Sequence, residues 1–145
     1  MSPEHDLPIE EYHRAGVRIT NGDPGGYKDL YSRRDDVTLA NPFGPPVRGW
    51  PAVSDRLDLA ASHFQDGEET GFENFSTVVG EDIAYIVEVE SYRTRVDGSD
   101  LTPQAVRVTT VFRREGGLWK VTHRHGDPIT VMRGGDSVLQ REKSA

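Results

Sequence analysis

The sequence predicts an α+β fold, helices first and an antiparallel sheet afterwards. Three observations carry this. Residues 8–64 hold apolar stripes at helical spacing, and residues 70–126 hold alternating, β-rich stretches separated by Gly- and Asp-containing turns. No repeat or linker interrupts the 145 residues, which amount to about one domain.

The first helix starts near Pro8, a favourable first-turn residue, and Ile9, Tyr12, Gly16 and Ile19 share one face. Asn21-Gly22 ends it. Asp23-Pro24 then reads as a cap and first-turn proline for a short helix with Tyr27, Leu30 and Tyr31 on its apolar face, although Gly25-Gly26 weakens that start. Val37, Leu39 and Asn41 alternate with Thr38 and Ala40 as a strand, and Pro45-Pro46 cannot continue a sheet. A third helix is expected from Pro51 to Phe64, with Val53, Leu57, Ala60, Ala61 and Phe64 on one face and Gly67 closing it. The meander comprises Thr70–Val79, Asp82–Val96, Gln104–Arg114 and Leu118–Gly126, with turns at 80–82, 97–99 and 116–117. Residues 1–7 are expected to be disordered, 8–132 to form the domain, and 133–145 to be a flexible tail.

Composition narrows the function. The formal charge of −7 argues against nucleic acid as a partner, since such binders carry a basic footprint. The absence of cysteine excludes disulfides, zinc-thiolate sites and thiol nucleophiles. The first residues lack the basic start and apolar run of a signal peptide, and no apolar run is long enough for a membrane span. A cytoplasmic protein without a membrane partner is expected.

The last meander strand, "WKVTHRHGDP", carries the sharpest pattern. Trp119, Val121, His123 and His125 alternate with Lys120, Thr122 and Arg124, so simple pleating sends both imidazoles to the buried side. There they can act as acid–base groups, as hydrogen-bonding residues near a pocket mouth, or, with Asp127 or His13, as metal ligands. Nothing in the spacing of His5, His13 or His63 supports the metal, and no metal site is expected.

"VTLANPFGPPVRG" and "EDIAYIVEVESY…RVTTVFRREGGLWKVTHRHGD" resemble the nuclear transport factor 2-like superfamily, whose members include ketosteroid isomerases, scytalone dehydratase, SnoaL-like cyclases and the calcium/calmodulin-dependent kinase II association domain. The resemblance spans about Ile9 to Asp127. It implies three N-terminal helices packed on a curved antiparallel sheet that forms a conical pocket, a cystatin-like α+β roll. It also implies a small, mostly apolar organic ligand, no cofactor, and a homodimer. The isomerase base would fall at Asn41, an amide that cannot take a proton, and the two oxyanion groups at Ala15 and Thr109. Steroid isomerisation by that mechanism is therefore not expected.

The functions implied are binding in the cone, with a dehydratase, cyclase or isomerase activity that would use His123 or His125, or alternatively a non-catalytic oligomerisation module. Tyr12, Asn41, Trp50, Tyr85, Thr109 and Trp119 are the candidate ligand contacts. Patterning alone puts Val106, Val108 and Phe112 on the core face of their strand, in conflict with an inward Thr109. Asn41 also suits an Asx turn, and Tyr12 and Tyr85 also suit core packing. Arg107 and Arg113 could reach an anion, and Glu88 and Glu90 read as sheet surface or dimer interface. Apolar residues on both faces of the two central strands motivate the dimer.

Overall fold

The structure, a computed structural model, describes residues 7–140. The elements are α1 (Ile9–Ile19), α2 (Gly25–Leu30), β1 (Thr38–Ala40), β2 (Val47–Arg48), α3 (Trp50–Ser62), β3 (Phe64–Val79), β4 (Ile83–Val96), β5 (Thr102–Glu115) and β6 (Leu118–Asp127). Two helices precede the first strand, and α3 follows the β1–β2 hairpin. The expectations for residues 1–6 and 141–145 lie outside the described residues. Leu7, assigned to the disordered N-terminus, is buried in the core.

The strands form one six-stranded curved sheet in the order β2-β1-β6-β5-β4-β3. All neighbours are antiparallel except β1 and β6, which pair in parallel. The meander therefore gains a parallel edge that alternation within β1 could not reveal. Val47 and Arg48 also pair back onto β1 directly after the two prolines, a strand too short to leave a period.

The helices form where the apolar stripes fall. Tyr12, Ala15 and Gly16 are the buried face of α1, and Val53, Leu57, Ala60 and Ala61 that of α3. Asp23 Oδ1 accepts the Gly25 N–H at 2.8 Å, which satisfies one of the orphan donors at the α2 start despite the two glycines. α3 ends at Ser62, two residues before the expected limit, and Gly67 is not its terminator. Gly67 lies inside β3 against the end of α1, where a Cβ would clash with Thr20. Its N–H donates to Thr20 O at 3.1 Å, so the missing side chain lets strand and helix touch.

β3 starts at Phe64, six residues before Thr70, and three register shifts interrupt its pairing with β4. Each shift breaks the period of two, which is why the strand's first part does not read as one.

On β4 the inward residues are Ala84, Ile86, Glu88, Glu90, Tyr92 and Thr94, all buried. Their partners on β5 include Val106, Val108, Thr110 and Phe112. The core joins this face to the helices through Tyr12, Tyr27, Leu39, Val53 and Leu57. The opposite, convex face exposes Phe75, Val78, Ile83 and Tyr85.

One irregularity decides the fate of the histidines. Val111 pairs with His123, but its neighbour Phe112 pairs with Val121, so Thr122 is an extra residue on β6. A bulge of this kind reverses the facing of everything beyond it. Trp119 and Val121 are buried on the inner side as expected. Beyond the bulge Arg124 turns inward, while His123 and His125, opposite Val111 and Thr109, face outward. The shared concave face expected for the four residues is thus corrected.

Candidate functional site

The inner face of β4, β5 and β6 and the buried faces of the helices enclose a cavity of about 80 Å³. Ile19, Leu39, Leu57, Phe64 and Val106 supply apolar wall, and among the described residues Glu90 and Arg124 are the only charged ones in its lining. Such a space is well below the ~300–1,000 Å³ of drug-sized ligand sites, and about half the ~150 Å³ of a cavity known to admit benzene.

Polar groups converge on its floor. Arg124 is fixed by both Glu90 oxygens, through Nη1 to Oε2 at 3.1 Å and Nη2 to Oε1 at 3.2 Å. The Tyr92 hydroxyl donates to Glu90 Oε1 at 2.9 Å. Arg124 Nη1 also donates to the Tyr12 hydroxyl, which is hydrogen-bonded in turn to the Thr110 hydroxyl. The guanidinium lies over the Tyr27 ring, 4.9 Å from its centroid. Burial works against the charge on Arg124, yet Glu90 and the tyrosines outweigh it and raise its pKa, so it stays protonated. Burial also pushes the Tyr12, Tyr27 and Tyr92 hydroxyls above their usual range, which keeps them protonated donors.

The fold admits this cluster because of Gly16. A Cβ there would clash with the Tyr92 hydroxyl and approach the Tyr27 hydroxyl to 3.1 Å. The Tyr27 hydroxyl is fully buried and has no hydrogen-bond partner among the described residues.

A second buried carboxyl, Glu88, lies one pleat along β4. His13 of α1 contacts it through Nε2 at 2.7 Å and stacks on Phe72 with ring centroids 3.8 Å apart. Asn74 Nδ2 donates to Glu88 Oε2 at 3.3 Å. This contact ties α1 to β3 and β4.

The expected site residues divide sharply. Asn41 lines the cavity, whereas Tyr12 is buried outside the lining and reaches it only through its hydrogen bond with Arg124. Asn41 Oδ1 also accepts the Phe43 N–H at 3.3 Å, so it makes the Asx turn as well. The other positions fall elsewhere. Tyr85 lies on the convex face. Thr109 pairs with Val87 and His125 on that same face, and the inward residue is its neighbour Thr110, as the apolar pattern required. Trp50 begins α3 and carries Arg33 over its ring at 3.8 Å. Trp119 is buried core with Arg114 over its ring at 4.4 Å, and it does not line the cavity.

His123 Nδ1 is hydrogen-bonded to Thr38 Oγ1 at 2.7 Å, and His125 Nε2 meets Asp127 Oδ2 at 3.1 Å. Burial, with the neighbouring His125, lowers the His123 pKa. Arg107 and Arg113 are paired with Asp127 and with Asp36 and Glu115. Among the described residues no group of three or more His, Cys, Asp or Glu side chains comes close enough to hold a metal.

Glu90 was legible in principle. Glu88 and Glu90 share parity with Ala84, Ile86 and Tyr92, so they belong on the buried face of β4. Arg124 gave no such signal, because the bulge that turns it inward is a property of the pairing.

The chain belongs to the SnoaL-like domain family, which matches residues 9–130. Its fold is shared with a nuclear transport factor 2-like protein from Salmonella enterica, at TM-score 0.72 and 17% identity over 92% of this chain and 94% of that one. A ketosteroid isomerase-like protein from Erwinia carotovora matches at TM-score 0.70 and 18% identity, over 85% and 92% of the two chains. A candidate dehydratase of the same fold family from Streptomyces avermitilis matches at 0.68 and 22%, over 90% and 100%. No curated protein sequence matches this chain. No helix among the described residues is long and apolar enough to cross a membrane.

Proposed function

We propose that this protein binds a small organic molecule in the cavity between the helices and the concave face of its sheet. The observation that carries this is an apolar-walled space whose floor presents protonated tyrosines beside a charge-matched Arg124–Glu90 pair. Binding is favoured over proton transfer as the primary role. Both oxygens of Glu90 are already engaged, by three hydrogen bonds in all, so the carboxylate is not free to abstract a proton. A dehydratase-type activity in this cavity would have to draw on Glu90, Arg124 and the tyrosines, since His123 and His125 lie across the sheet. Steroid isomerisation is not part of this reading, given Asn41 at the position of the base and the size of the space. A cytoplasmic setting fits the cysteine-free composition.

A fragment screen by protein-observed NMR tests it. Binding should shift amides of Gly16, Tyr27, Val106 and Gly126 together, all of which line the cavity. Ala60→Trp fills the same space and should abolish those shifts. Fragments that bind the Ala60→Trp variant equally well would refute the site.

A second copy of the chain is the proposed partner of the convex face. Phe75, Val78, Ile83 and Tyr85 are exposed there on neighbouring strands β3 and β4. A self-complementary contact would remove this apolar patch from water. Light scattering across a dilution series should give twice the mass of one chain, and Ile83→Asp should halve it. A monomer at every concentration would end this proposal.

A further inference from the structure

Tyr27 presents an unusual group. A buried hydroxyl without a partner costs about 1–3 kcal/mol and is uncommon in folded proteins. Tyr92, its neighbour across Gly16, gives its proton to Glu90, and Tyr12 is engaged by Thr110 and Arg124. Tyr27 alone among these three keeps its donor unused, on a side chain that lines the cavity.

Resting on the reading of the cavity as a ligand site, we infer that its ligand is a small neutral molecule carrying an oxygen acceptor, a carbonyl or an ether, that accepts a hydrogen bond from the Tyr27 hydroxyl. Charge balance argues for neutrality. Among the described residues Arg124 and Glu90 are the only charged ones lining the space, and each satisfies the other. An anion would have to approach Glu90, and a cation Arg124, with no free counter-charge in the lining to offset the desolvation. The apolar walls and the volume of about 80 Å³ limit the buried part to a few heavy atoms around that acceptor. Any larger remainder would extend past Pro42 and Phe43 at the rim.

The test uses matched five-membered rings: cyclopentanone, cyclopentanecarboxylate and cyclopentylamine, each titrated by NMR into the wild-type protein and into Tyr27→Phe. Cyclopentanone should shift the cavity amides, and its affinity should fall about five- to ten-fold in Tyr27→Phe, the worth of one hydrogen bond. The two charged rings should leave the cavity amides unmoved at the same concentrations. The melting temperature of Tyr27→Phe without ligand should be unchanged or raised, because the variant loses an unpaired buried hydroxyl. Equal affinity of cyclopentanone for both proteins, tighter binding of a charged ring, or a clear drop in melting temperature would each overturn the inference while leaving the cavity a ligand site. If none of the rings moves a cavity amide, the inference and the ligand site fall together.

Discussion

Arg124 and His125 are adjacent on β6 and live in opposite surroundings. Arg124 faces inward, where its side chain is 13% exposed and Glu90, its partner, is 1% exposed. His125 faces outward, where its side chain is 46% exposed beside Asp127. Both make a short contact with a carboxylate, but only one contact is sealed from water. The difference shows that an ion pair's consequence follows from the face it sits on. An inner charge left alone cannot be rehydrated, whereas an outer one can.

The comparison is broken most forcefully at Arg124. Arg124→Met strands Glu90 in the core and should lower the unfolding free energy by roughly 3–5 kcal/mol, read from urea denaturation. The double variant Arg124→Met with Glu90→Leu should regain most of that loss, because neither charge is then buried. If the single variant unfolds no more easily than wild type, the pair is not buried as described.

The next effect is steric and probes the same interior. Gly16→Ala puts a methyl group into the Tyr92 hydroxyl, and the ring cannot move without giving up its bond to Glu90. A loss of about 1–3 kcal/mol is expected. A stabilised Gly16→Ala, as helix propensity alone would give, would mean that the tyrosine hydroxyls are not held against α1.

On the outer face, Asp127→Asn removes the partner of both His125 and Arg107, yet the denaturation midpoint should scarcely move. A shift as large as that of Arg124→Met would erase the distinction between the faces.

The smallest effect is a pH slope. His123 titrates below its ordinary 6.5 in the folded protein, chiefly because burial disfavours its charged form. The unfolded chain then binds the proton more readily, so this residue's contribution is lost as pH falls below about 6.5 and is constant above it. His123→Gln should flatten the dependence of stability on pH across the interval from the folded pKa up to 6.5. An NMR titration placing His123 above 6.5 would reverse the sign.

These contrasts also separate what the chain announces from what only its folding decides. The three helices, the four long strands and the turn at Gly116-Gly117 are legible because apolar spacing and turn chemistry are local properties. Tyr12 is buried on the face that the period of α1 predicts and hydrogen-bonds the lining residue Arg124, while Asn41 lines the cavity just past the end of β1. Family resemblance added the cone but aimed Thr109 inward, where the alternation of Val106, Val108 and Phe112 shows that Thr110 belongs.

The sequence by itself determined the α+β class, the order of the three helices and four long strands, and the buried faces of α1, α3 and β5. Tertiary pairing alone decided that β1 joins β6 in parallel, that β3 begins at Phe64, and that Arg124 rather than His123 or His125 enters the cavity. The physical reason is that side-chain facing along a strand is inherited from each residue to the next. A single extra residue such as Thr122 reverses that inheritance, and its position is fixed by hydrogen bonds to a neighbouring strand rather than by any residue in β6.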